Sequence, residues 1–161
     1  MAKERYLVSA CLAGVCSRFD GQGHPHKHII ELIGQGVALP VCPEQLGGLT
    51  TPRPPAEIVG GTGMDLWAGR ARVMTAAGTD VTAQFIKGAQ ETLKLGELFG
   101  AHKAILKAKS PSCGPSLIYN GTFQGQLTPG MGVTAALLHK AGWQIYSEDD
   151  LFQLIDQSSR S

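Results

Sequence analysis

The chain has 161 residues, 43% of them hydrophobic and 17% charged. That is enough apolar surface for one folded domain with its own core and too much for intrinsic disorder. Lys and Arg number 14 against 13 Asp and Glu, a net charge of +1, which argues against the broad basic face that duplex nucleic acid requires.

In chain order, residues 6–12 predict a buried strand ending in a loop rich in Gly and His that runs to His28. Residues 28–33 predict a short helix stopped by Gly34 and Gly36. Residues 37–42 predict a second strand, with prolines that suit a sheet edge. From Glu44 to Gly69 the chain is dense in Gly, Pro and Thr and is expected to be one long irregular segment. Residues 72–74 are a candidate small strand. Asp80 is the expected N-cap of a helix whose Val81, Phe85, Ala89 and Leu93 share one apolar face, closed near Gly100. Residues 103–108 predict a third strand, and Gly130-Met131-Gly132 opens a helix through Leu138 that Gly142 closes. A last strand at 143–146 is followed by capping-box spacing from Ser147 to Asp150, ahead of Leu151, Phe152, Leu154 and Ile155. Strands alternating with helices predict an α/β fold: a single layered domain, residues 1–161, with a mainly parallel sheet flanked by helices in Rossmann-like fashion.

No run reaches the roughly 18 apolar residues of a membrane helix, and the N-terminal apolar run is too short for a signal peptide. The expectation is a cytoplasmic, reducing setting, where the four cysteines serve as thiols, metal ligands or catalytic groups rather than disulfides. Cys11, Cys42 and Cys113 each fall at the carboxyl end of a predicted strand, the edge where open α/β sheets place their ligand crevice. Three converging thiolates can hold Zn²⁺ with one open position, or a [4Fe–4S] cluster with one iron free of protein. Equally, three free cysteines can be small apolar core residues. Cys16 lies in the Gly/His loop and reads as an incidental exposed thiol.

Polar groups surround two of these thiols. Glu44 follows Cys42 by two residues, and Ser110 and Ser112 precede Cys113. A carboxylate beside a metal can act as general acid or base, and a hydroxyl can bond the reacting group; taken singly, each is also an ordinary loop residue. The Gly130-Met131-Gly132 segment can aim backbone N–H groups at an anion or simply turn. Alternating His24, His26 and His28 read as an exposed loop tip, with metal binding as the alternative. Arg53, in a stiff Pro-rich stretch, can clamp an anionic or carbonyl-bearing ligand.

Several blocks carry a family resemblance. Ser9-Ala10-Cys11-Leu12-Ala13-Gly14 with Arg18-Phe19-Asp20-Gly21, Val41-Cys42-Pro43-Glu44-Gln45-Leu46-Gly47-Gly48 continuing to Glu57, Asp80-Val81-Thr82, Lys109-Ser110-Pro111-Ser112-Cys113-Gly114, and the stretch from Gly130 to Leu138 resemble the thiouracil desulfidase family. The likeness is strongest over residues 6–148. It implies a [4Fe–4S] cluster on Cys11, Cys42 and Cys113, and catalytic roles for Glu44 and Ser110. Many relatives carry a Cys where this chain has Ser17, and Cys16 is displaced by one position, which fits a three-cysteine site.

The activity implied is conversion of 4-thiouracil, or a related thiolated uracil nucleoside or nucleotide, to uracil and sulfide. The thiophilic iron takes the substrate sulfur, Glu44 activates water, and Ser110 positions it. Ser112, Arg53 and Ser9 are substrate-binding candidates, and the partner is a small thiolated pyrimidine. The rival readings are a zinc hydrolase on the same three cysteines, and a cluster- or thio-base-binding module without turnover.

Overall fold

The structure is a computed structural model and describes residues 3–151 and 154. In chain order its elements are β1 (Tyr6–Ser9), α1 (Lys27–Gly34), β2 (Ala38–Val41), α2 (Pro43–Leu46), β3 (Ala56–Val59), α3 (Gly63–Trp67), β4 (Arg72–Thr75), α4 (Thr82–Phe99), β5 (Lys103–Leu106), β6 (Leu117–Tyr119), β7 (Leu127–Pro129), α5 (Val133–Lys140) and β8 (Gln144–Ser147). Single 3₁₀ segments follow β1 (Ala10–Ala13) and β8 (Glu148–Asp150).

Strand side chains alternate between faces, so β1 sends Leu7 one way and Val8 the other. Leu7 packs with Ala104, Leu106, Leu138 and Trp143 on the side covered by α4 and α5. Val8 packs with Ile29, Ala38 and Ile105 on the side covered by α1. Each such fully buried aliphatic side chain stabilises the fold by about 1.5–3 kcal/mol. A slip of one residue would exchange the two faces, so burial on both sides fixes the register. The sheet is wholly parallel, in the order β2-β1-β5-β8. From β1 the chain winds outward to β2 and then returns through α4 to β5 on the other side of β1. That reversal opens a crevice at the carboxyl ends of β1 and β5.

The α/β architecture and all four sheet strands match the expectation, and β2, with Pro40 opposite Val8, is an edge strand. The segment from 44 to 69 is not one long irregular loop, because it contains α2, β3 and α3. Two antiparallel pairs, β3–β4 and β6–β7, stand outside the main sheet and share a second core of Ile58, Val73, Phe85, Ile118 and Val133. The N-cap of α4 is Val81 rather than Asp80, whose Oδ1 accepts from the Thr82 amide at 2.9 Å. The capping box between Ser147 and Asp150 forms as expected, while Phe152 and Ile155 lie outside the described residues. Among the described residues no helix is long and apolar enough to cross a membrane.

Candidate functional site

A cavity of about 580 Å³ opens at the carboxyl ends of β1, β2 and β5, and Cys11, Cys42, Cys113, Glu44 and Ser110 all line it. Cys11 sits on the 3₁₀ segment after β1, which ends at Gly14 with φ 89°. Cys42 is the last residue before Pro43 starts α2, and its thiol points to the Ser17 carbonyl at 3.7 Å. Cys113 lies in the turn after β5. There the Ser110 hydroxyl oxygen accepts from the amides of Ser112 at 3.1 Å and Cys113 at 3.0 Å.

Helix α5 anchors that turn. Its Val133 amide donates to Pro111 O at 2.9 Å and its Thr134 amide to Ser112 O at 2.8 Å. Gly132 has no room for a Cβ, which would strike the Ser112 carbonyl. The anion-binding alternative for Gly130-Met131-Gly132 is therefore overturned, because the amides it needs are taken up by the cysteine turn.

Cys11 and Cys113 are 7% and 5% exposed. Burial pushes the Cys11 thiol up to about 11, and pushes Cys113 up as well. Each of the two is raised further by the like charge that the neighbouring thiols would carry. Three thiolates packed this way need positive charge between them, which a bound metal centre supplies. Among the described residues the three sulfurs do not form a set lying within 4.8 Å of one another. One tetrahedral zinc at a Zn–S distance near 2.3 Å brings its sulfurs to roughly 3.8 Å. The donor set is soft, three-fold and wide, which fits an iron–sulfur cluster better than a single ion.

Glu44 is the second residue of α2 and accepts from Arg53 Nε at 3.1 Å. Burial pushes its carboxyl above the ordinary range, and the Arg53 charge and hydrogen bond only partly hold it back. Backbone contact between helices sets its position. A Cβ on Gly88 of α4 would strike the Pro43 carbonyl, and one on Gly47 would strike the Gln84 carbonyl, so α2 lies directly on the α4 backbone.

Arg53 is 9% exposed. Its Nη1 donates to Thr50 O at 3.2 Å and Thr51 Oγ1 at 2.9 Å, and its Nη2 to Ser17 O at 2.8 Å. With Nε on Glu44, one of its five N–H groups is left. It lines the cavity, but as the support of Glu44 and the Ser17 loop rather than as a clamp with free donors. Ser9 also lines the cavity; its hydroxyl accepts from the Lys107 amide at 2.9 Å, and its side chain works against the rise that burial imposes on the Cys113 thiol. Ser112 does not line it: the side chain is 1% exposed and its Oγ lies 2.9 Å from Thr134 Oγ1. Burial against α5, off the cavity wall, keeps the Ser112 hydroxyl from reaching a ligand there, which corrects its place among the substrate contacts. Cys16 is exposed and away from the cavity.

The sequence alone did not single out the aromatic wall. Phe19, Tyr119 and Phe123 line the cavity, the last two from the β6–β7 hairpin. Glu57 Oε1 ties that hairpin down by accepting from the Gly121 amide at 2.9 Å and the Phe123 amide at 3.2 Å. Lys109 and Phe123, with φ 69° and 58°, are the described non-glycine residues in the left-handed region, and both line the cavity. Backbone strain of this kind gathers at functional sites.

The 2-thiouracil desulfurase family matches residues 6–150, a span that contains every residue of the cavity. The chain is 47% identical over 149 residues to the uncharacterized protein YbbK of Bacillus subtilis (strain 168), covering 92% of this chain and 99% of that one. It matches the solved structure of a [4Fe-4S]-dependent thiouracil desulfidase, TudS, with a TM-score of 0.86 and 44% identity, covering 99% of this chain and 100% of that one.

Proposed function

The chain belongs to the 2-thiouracil desulfurase family, and from that premise we propose that it is a thiouracil desulfidase, converting thiouracil and water to uracil and hydrogen sulfide. The observation that carries this reading is the meeting of two buried thiols, the half-buried thiol of Cys42 and a carboxyl of raised pKa on one cavity. Cys11, Cys42 and Cys113 would hold a [4Fe–4S] cluster, in a single domain spanning residues 1–161. When bound, the cluster would supply a thiophilic Lewis acid beside Glu44 and Ser110. The reaction exchanges sulfur for oxygen on carbon and needs no net electron transfer.

The protein's own residues do the rest. Phe19, Tyr119 and Phe123 offer faces and edges that suit a flat pyrimidine ring. Glu44 takes the proton of the attacking water; its raised pKa makes it a stronger base than an exposed carboxylate. Ser110, its oxygen already accepting two amides, keeps its own O–H to donate to water or substrate. Ser9 favours the Cys113 thiolate, and Arg53 holds Glu44 in place. The substrate is 4-thiouracil or its nucleoside or nucleotide, a small molecule in keeping with the near-neutral charge. A reducing cytoplasm suits an iron centre that is open on one side.

Anaerobic preparation with assay of iron, zinc and acid-labile sulfide tests this. About four irons per chain are expected, together with loss of thiocarbonyl absorbance on incubation with 4-thiouracil. Cys11→Ser, Cys42→Ser and Cys113→Ser should each lose iron. Zinc without iron would move the chemistry to a hydrolase, and four irons without turnover would remove the free base 4-thiouracil as substrate.

A further inference from the structure

A second set of donors lies outside the cysteine cavity, on the other side of the Cys11 turn. Donor atoms of His24, His26 and Glu148 fall within 4.8 Å of one another, and none of the three residues lines the cavity. We propose that these residues form a binding site for a single divalent transition-metal ion with zinc-like preferences, distinct from the cysteine site.

Two histidines two apart on an extended segment project from the same side. Backbone bonds hold that segment in place: the His24 amide donates to Cys11 O at 2.7 Å and the His26 amide to Leu12 O at 2.8 Å. The two imidazole centroids are 5.3 Å apart. An independent observation points to a ligand, because His26 Nε2 is buried and has no hydrogen-bond partner among the described residues. A buried ring nitrogen without a partner is costly unless something fills its place. His28, the third of the alternating histidines, is not part of the set and lies 3.4 Å from Glu31 on α1.

Glu148 supplies the anionic donor from the end of β8. Its Oε2 lies 2.9 Å from Lys107 Nζ, and its Oε1 accepts from the Ala108 amide at 2.6 Å. Each oxygen keeps lone-pair capacity beyond these bonds, so the ion would share the carboxylate with Lys107. Two imidazoles and one carboxylate suit zinc, nickel, cobalt or copper rather than calcium or magnesium. Three protein ligands with a water complete a tetrahedron, and closing on the ion requires donor separations of roughly 3.3 Å. His24 is exposed and free to make that movement. A bound ion would clip the Gly/His loop, which brings Ser17, Arg18 and Phe19 to the cavity wall, to the end of β8.

The test uses the cluster-loaded protein, kept anaerobic, mixed with a small excess of zinc chloride and desalted before elemental analysis. The wild type should retain about one zinc, and zinc should raise its unfolding temperature. His24→Ala, at an exposed position, should weaken zinc retention by about tenfold or more and abolish the thermal shift. His26→Gln should do the same, and His28→Ala should behave as wild type. Zinc held by the cysteines would survive His24→Ala, so failure of this site and failure of the cluster assignment are distinguishable. Wild-type protein that retains no zinc, or His24→Ala protein that retains it equally well, would overturn the proposal.

Discussion

Two glutamates, Glu44 half-buried and Glu148 buried, stand at the same end of the sheet, one just after β2 and one just after β8, and each faces a cation. Glu44 meets Arg53 Nε at 3.1 Å, and Glu148 meets Lys107 Nζ at 2.9 Å. Burial pushes both carboxyls upward. At Glu44 burial wins and the group sits above the ordinary range. At Glu148 the Lys107 bond and the Ala108 amide outweigh burial, and the group is held below it. The Lys107 bond does most of this, and the Ala108 amide, a dipole fixed by the fold with no counterpart at Glu44, adds to it. A carboxylate that an ion pair alone holds in a dry site remains ready to take a proton. One that the backbone also clamps is held as an anion, fit for structure or for a metal.

The largest effect should come from removing the proton acceptor. Glu44→Gln keeps the shape and the bond from Arg53 but cannot take a proton from water. Thiouracil turnover should fall by about 10²–10⁴-fold, with the iron content unchanged. Full activity in this variant would remove Glu44 from the role of base and leave the comparison without chemical content.

Next in size is the loss of the partner. Arg53→Gln leaves Glu44 buried without its cation, and breaking such a pair costs about 3–5 kcal/mol of stability. The pH–rate profile sharpens the point. Activity requires Glu44 ionised, so it rises as pH climbs through the raised pKa. Arg53 is what restrains that pKa, so its removal should move the acid limb to still higher pH. An unmoved limb would mean that another group sets the protonation state of the site.

A third test moves Glu44 without changing it. Gly88→Ala places a methyl group against the Pro43 carbonyl and must push α2 away from α4. Overpacking of this kind costs up to about 3 kcal/mol, and turnover should drop with iron retained. Gly34→Ala, where a Cβ meets nothing within 4 Å, is the control and should change neither.

The parts of this arrangement that were legible in the sequence are those fixed by strand ends. Cys11, Cys42 and Cys113 follow the three strands nearest the crevice, so reading the strands brought them to one edge. Glu44 came with Cys42 because only Pro43 separates them. The Arg53–Glu44 pair was not legible, since it depends on how the chain from 47 to 52 folds back. Nor was the pairing of Ser112 with Thr134, 22 residues away, which turns a candidate ligand group into part of the core. The hairpins escaped notice because β6 and β7 have three residues each, too few to show alternation. In the segment from 44 to 69, elements of four and five residues are hidden among glycines and prolines for the same reason. Local pattern marks where side chains leave the sheet; what they meet is decided by contacts distant in sequence.

The smallest effect, and the one that tests the comparison from the other side, belongs to Glu148. Glu148→Gln keeps an acceptor for the Ala108 amide but loses the ionic partner of Lys107. The cost at neutral pH should be about 1.5 kcal/mol, lessened by the partial exposure of Lys107. The sign follows from the lowered pKa. A carboxyl that ionises more easily in the fold contributes stability above its unfolded value near 4.3 and loses it as pH falls through the folded value. Urea unfolding of the wild type and Glu148→Gln should therefore differ most at neutral pH and converge in acid. Glu44 has the opposite sign, because its folded pKa is raised and its charged form is the one the fold disfavours. A gap for Glu148→Gln that stayed constant from neutral pH into acid would show that the Lys107 pair and the Ala108 amide do not hold Glu148 as an anion, and the two carboxylates would differ only in position.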